Sequence, residues 1–173
     1  LLVNLAEPMP PWTPPLNPYL MRAFAKATPK NATSVQKVCE SPQGYWSGDL
    51  ELDWRDWDSV VAAYQGEVAA ADAAVEKLWG AVGRMGLREH TLFVVTSDHG
   101  QALDPSSRLL SNQPTVAEGV LRVPLAISGP GVPAGKRIAS PVSTTDLVPT
   151  VLDRLGLPPD GPLEGRSLTP LLD

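Results

Sequence analysis

The hydrophobic pattern along the chain changes period several times, and each change marks an expected element. Residues 57–86 carry the longest regular signal: Val61, Tyr64, Val68, Ala71, Val75, Leu78, Val82 and Met85 recur at alternating steps of three and four. This spacing lines one face of an α-helix and predicts a helix packed on a sheet through that face, with Gly86 as its C-cap. TLFVVTS at 91–97 is an unbroken apolar and β-branched run, as expected of a strand covered on both faces. Loop residues to about 112, a short helix near 113–120 and a strand at 124–128 follow. SGPGVPAG reads as a turn-rich link. A short strand near 137–142 then leads to a helix at 145–155, capped by Ser143 or Thr144, with Asp146 in its first turn and Gly156 closing it.

The start of the chain is patterned differently. LLVNLAE reads as a short buried strand running into the proline cluster EPMPPWTPPLNP. Residues 8–55 lack a period and are punctuated by Trp12, Tyr19, Tyr45, Trp46 and Trp54, which predicts a functional surface loop or insertion, or partial disorder over 25–45. The predicted organisation is a strand and proline-rich loop at 1–15, an irregular insertion at 16–56 and an alternating region at 57–173. Strands alternating with helices predict an α/β fold with a largely parallel sheet. The strand at 91–97 is expected inside that sheet, flanked by 1–6 and 124–128.

Composition narrows the function classes. At 173 residues, 43% hydrophobic and 19% charged, the chain is globular rather than disordered. A net charge of −5 and the absence of any basic run give no reason to expect nucleic acid. No apolar stretch reaches the ~18 residues of a transmembrane helix. A single cysteine, Cys39, excludes an internal disulfide framework and a multi-cysteine zinc site. No histidine lies nearby in sequence to activate it, so Cys39 is expected to be a solitary thiol rather than a nucleophile.

The candidate chemistry lies where the best strand ends. Ser97, Asp98, His99 and Gly100 follow directly on it, and in open α/β sheets ligands gather beyond the carboxyl ends of strands. Asp98 offers a hard oxygen ligand, and a neutral His99 can bind a metal or donate to an anion. A bare Asp-His-Gly is also compatible with a loop cap and a half-buried histidine bonded to backbone.

The surrounding motifs decide for the first reading. The helix with Asp72, then GRMGLREHTLFVVTSDHG, AEGVLRVPLAISGPGVPAG, STTDLVPTVLDRLGL and LEGRSLTPLL, occur in the order found in the sulfatase family of the alkaline phosphatase superfamily. LLVNLAEPMPPWTPP also resembles that family's strand ending D-P-H-x-P-Y, whereas residues 16–56 match none of its motifs. The resemblance implies a doubly wound, largely parallel sheet flanked by helices, present here as a partial domain. It also implies a divalent metal, often calcium, with Asp98 and His99 as two of its ligands. The family hydrolyses sulfate esters through a formylglycine made from cysteine or serine, and relatives of similar fold act on phosphate groups. Many relatives act outside the cytoplasm, a setting that the resemblance alone suggests; the residues themselves name no compartment.

Several positions depart from the family pattern. The nucleophile motif Cys/Ser-x-Pro-x-Arg belongs to a half of the domain expected to precede residue 1, and the remaining metal ligands belong there too. No catalytic nucleophile is therefore assigned in this chain, and Cys39, in CESPQ, does not fit the motif. The substrate-binding histidine of D-P-H-x-P-Y corresponds to Met9, which cannot donate a hydrogen bond, and the substrate-binding lysine falls on or near Gln113, which carries no charge. The usual acidic residue after D-H-G is Gln101. The sequence supports a sulfatase-family hydrolase acting on a sulfate or phosphate ester with a diverged anion site. A non-catalytic sulfatase-like domain and a phosphoethanolamine- or phosphodiester-directed relative are the alternatives.

Overall fold

The computed structural model describes residues 1–5, 8–12, 30, 32–111 and 115–173. The chain forms two compact units, one of Leu1–Ala81 with His99–Arg122, the other of Val82–Asp98 with Val123–Asp173.

The first unit is built on helices. Helix α1 (Ala32–Glu40) and the short α2 (Gln43–Ser47) precede α3 (Trp54–Arg84), whose first 28 residues belong to this unit. Asp53 starts α3: its Oδ1 accepts from the backbone N–H of Arg55 (2.9 Å) and Asp56 (3.1 Å), while Asp56 Oδ2 accepts from Asp53 N–H (3.2 Å). This reciprocal cap satisfies donors that the first helical turn leaves open, a stabilisation of about 1 kcal/mol. Around α3, Trp12, Val35, Val38, Cys39, Tyr45 and Leu110 close a core on Trp57, Val60 and Ala63. Trp12 meets Tyr64, and Tyr45 meets Trp57, edge to face.

Three expectations are corrected here. The insertion expected to be irregular over 16–56 is helical at 32–40 and 43–47, because Val35, Val38 and Cys39 have helical spacing and face the core. No boundary falls at 56/57, since α3 starts at Trp54 and its first turns complete that core. The buried stripe of α3 runs through Trp57, Val60, Ala63 and Glu67, whereas Val68 and Met85 of the expected face are 43% and 69% exposed. The period was right and the phase was right in part: Val61 and Tyr64 pack against this core, and Val75, Leu78 and Val82 are half-buried. VVAAY at 60–64 is apolar on every side, so periodicity alone does not choose the fully buried face.

A hairpin of β2 (Ala102–Asp104) and β3 (Leu109–Ser111) follows His99, within what was expected to be loop. Its turn residue Arg108 clamps it to α2. The guanidinium lies 4.7 Å from the Tyr45 ring centroid, donates to Tyr45 O at 2.8 Å and pairs with Glu51 at 2.9 Å. Trp46 Nε1 donates to Leu110 O at 2.8 Å. Helix α4 (Glu118–Leu121) is shorter than the helix expected at 113–120.

In the second unit, β1 (Phe93–Thr96) pairs antiparallel with β4 (Leu125–Ser128), in the register Phe93↔Ser128 to Thr96↔Leu125. Both strands fall where the sequence put them. Both ladders of the described residues are two-stranded and antiparallel, so these residues do not themselves form the expected largely parallel sheet. Residues 1–5 are not a strand; β-propensity makes a strand only where a ladder partner exists, and none pairs with them among the described residues. Residues 137–142 are exposed irregular chain, with Pro141 unable to donate to a ladder.

Helix α5 (Leu147–Arg154) is entered through the 3₁₀ turn Thr144–Asp146 and capped by Ser143 and Asp146 reciprocally, as expected. Asp146 Oδ1 also accepts from Arg166 N–H at 3.0 Å, and Thr150 Oγ1 accepts from Leu168 N–H at 2.8 Å. These bonds tie the segment leading to α6 (Thr169–Leu172) onto α5. Among the described residues no helix is long and apolar enough to cross a membrane.

Candidate functional site

The end of β1 is shaped by its neighbours in the chain. Phe93, Val94 and Val95 are half-buried and Thr96 is exposed, with Thr96 Oγ1 donating to Pro124 O at 2.9 Å. The backbone leaves the ladder at Ser97 and reaches Asp98, which is exposed, and His99, which is half-buried. The division between the two compact units falls between these two consecutive residues.

His99 is held by its own turn. Its Nδ1 lies 2.9 Å from Gly100 O, an acceptor that puts the ring proton on Nδ1 in the neutral tautomer and the lone pair on Nε2. Metal-ligating histidines are characteristically oriented in this way, by a hydrogen bond from the other ring nitrogen. Gly100 donates to Val120 O at 2.7 Å, and a Cβ at position 100 would collide with the carbonyl oxygen of Gly119. Glycine is therefore required at position 100 by the close approach of two backbones.

Gln101 continues from this turn into the hairpin. Its Nε2 donates to Met9 Sδ at 3.2 Å, and its Oε1 is buried without a hydrogen-bond partner among the described residues. Two positions that depart from the family pattern are thus in direct contact. A thioether is a weak acceptor, and an unsatisfied buried amide oxygen costs roughly 1–3 kcal/mol. Gln113 lies outside the described residues. The sequence reading missed the Met9–Gln101 contact because 92 residues separate the two, and it missed the Arg108 clamp because hairpin signals were absent from DPSSR.

The donor chemistry of Asp98 and His99, a carboxylate and an oriented imidazole, fits two ligands of a divalent cation. Among the described residues no group of three or more His, Cys, Asp or Glu side chains is placed to hold a metal ion. Cys39 is buried in the first unit's core, where burial and then the charge of Glu40 push its thiol up to about 12. A thiol in that state is not a nucleophile.

Comparison with known proteins bears on the chain as a whole. The family model described as Sulfatase matches residues 9–157. Arylsulfatase K of Danio rerio is 36% identical over 114 residues, covering 66% of this chain and 21% of that protein. The extracellular sulfatase SULF-1 homolog of Drosophila melanogaster is 38% identical over 103 residues, covering 60% of this chain and 9% of that protein. The phosphonate monoester hydrolase of Silicibacter pomeroyi superposes with a TM-score of 0.75 at 28% identity, over 95% of this chain and 35% of that one. A 2-O glycosaminoglycan sulfatase, at 21% identity and a TM-score of 0.66, shares the fold. The chain thus spans about a fifth of the arylsulfatase K that it matches.

Proposed function

Because the chain belongs to the sulfatase family, we propose that it serves the hydrolysis of sulfuric esters, with Asp98 and His99 contributing two ligands to a divalent metal, calcium in this reading. The observation that supports the metal role most directly is the orientation of His99, whose Nδ1 bond to Gly100 O turns the imidazole into a fixed Nε2 donor. When bound, the cation supplies positive charge toward the anionic ester oxygens. Asp98 supplies the negative charge that attracts the cation, and the Gly100–Val120 bond fixes the turn from which His99 projects.

The nucleophile in this reading is a formylglycine. It would derive from a Cys/Ser-x-Pro-x-Arg motif, which these 173 residues do not contain. The β1–β4 ladder is read as the antiparallel part of a doubly wound, mostly parallel sheet, an arrangement common in large α/β sheets. A second reading, action on a phosphorus ester, is favoured by the TM-score of 0.75 to the phosphonate monoester hydrolase.

Calcium titration of this chain, followed at the His99 ring by NMR, tests the metal reading. Weak binding is expected, since calcium takes about six to eight oxygen ligands and only two donors are proposed here, and Asp98→Ala is expected to abolish it. Calcium binding that survives Asp98→Ala would overturn the assignment. Turnover of an aryl sulfate set against an aryl phosphonate monoester, with the nucleophile-bearing segment supplied, separates the two ester classes.

A further inference from the structure

The least satisfied polar group described in the first unit is the side-chain amide of Gln101. Among the described residues its Nε2 meets only the thioether of Met9, at 3.2 Å, and its buried Oε1 has no partner. As it stands, one polar end of the amide is without a hydrogen bond and the other has a weak one; turned over, its oxygen would face the thioether, two acceptors with no bond between them. The backbone cannot relieve this. Gly100 is bonded to Val120 O at 2.7 Å, and the carbonyl of Gln101 lies 3.1 Å from where a Cβ on Gly119 would stand. The cover over the amide is movable by contrast: Met9 is unbranched and 37% exposed.

We propose that Gln101 is a specificity-determining residue that reads a hydroxyl group on the alcohol part of the ester, with Met9 as its displaceable cover. A primary amide offers one acceptor and two donors in a plane, and a hydroxyl both donates and accepts. A hydroxyl arriving at Gln101 supplies Oε1 with the donor it lacks and replaces the thioether at Nε2 with a better acceptor. A charged sulfate oxygen could do only the second of these. The ligand class is therefore a hydroxyl-rich ester such as a sugar sulfate, in preference to an ester of a bare aromatic alcohol. Gln101 follows His99 by two residues, so the inference rests on the ester-hydrolase reading for its ligand, though not for its geometry.

The test compares a methyl hexoside sulfate with phenyl sulfate, which carry the same anionic group and differ in hydroxyls. Both are titrated into the 173-residue chain with calcium present and followed at the Gln101 side-chain amide by NMR. The hexoside sulfate is expected to shift that resonance and phenyl sulfate to leave it in place. Gln101→Leu is expected to weaken the hexoside sulfate roughly tenfold, the loss of about one good hydrogen bond, and to leave phenyl sulfate unchanged. An amide resonance that the hexoside does not move, in the unaltered chain, overturns the proposal, as does a Gln101→Leu variant that weakens both ligands equally. Asp98→Ala separates this from the metal reading. If it leaves both affinities intact while Gln101→Leu still discriminates, the metal assignment fails and the role of Gln101 stands.

Discussion

Gly100 and Gly119 meet backbone against backbone, so closely that a single methyl group on Gly100 would overlap the Gly119 carbonyl oxygen. The Gly100 N–H to Val120 O bond of 2.7 Å depends on that approach. Gly100→Ala is expected to push the two segments apart and to destabilise the chain by about 1–3 kcal/mol, the usual range for overpacking. Thermal denaturation checks the magnitude. The loss of His99's fixed orientation would appear as a shifted imidazole resonance even in the folded variant.

The phase of α3 is testable with two substitutions. Val60 is fully buried, whereas Val68 is 43% exposed. Val60→Asp is expected to unfold the first unit, because an unpaired buried charge costs several kcal/mol. Val68→Asp is expected to change stability by no more than about 0.5 kcal/mol. Equal effects would return the buried face to the stripe read from periodicity.

That stripe shows where the sequence was legible. β1 and β4 could be read because apolar runs are bounded by Gly, Pro and polar residues. The Ser143–Asp146 cap could be read because capping is local chemistry. The family was legible in the ordered motifs from GRMGLREH to LEGRSLTPLL, and Asp98 and His99 stand within them. The fully buried face of α3, the helix at 32–40 and the pairing direction of β1 were not legible. Each is decided by partners distant in sequence, as Val35 and Val38 are by Trp57 and Leu110. The contact between Met9 and Gln101 is of the same kind.

Asp146 links the second unit to pH. Hydrogen bonds from the backbone N–H of Arg166, then of Ser143, hold its carboxyl below the ordinary carboxylate value. A carboxyl depressed in the folded state binds its proton more readily when unfolded, so its contribution is fully present above the unfolded value, about 3.9. That contribution is lost as the pH falls through the lower folded value. The difference in thermal midpoint between the parent chain and Asp146→Asn is therefore expected to be constant at neutral pH and to shrink on acidification below about pH 4. A difference that grows on acidification would contradict the assignment.

Cys39 is expected to resist an aromatic disulfide reagent in the native chain and to react at once in denaturant. Burial holds its thiol near 12, so almost no thiolate is present at neutral pH. Rapid labelling of the folded chain would place the thiol outside the core formed with Trp12 and Val38.

The clamp between α2 and the hairpin sets an order of events during synthesis. Trp46 finds its acceptor on Leu110, and Tyr45 its guanidinium on Arg108, 64 and 63 residues further along the chain. Closing a loop of that length costs roughly 4 kcal/mol in chain entropy before either bond forms. On a ribosome adding about 5–20 residues per second, α1 and α2 would wait several seconds with one flank uncovered. During that interval Tyr45 and Trp46 are the surfaces a chaperone would find, and a cut in the nascent chain between 82 and 98 would leave the first unit without its closing hairpin.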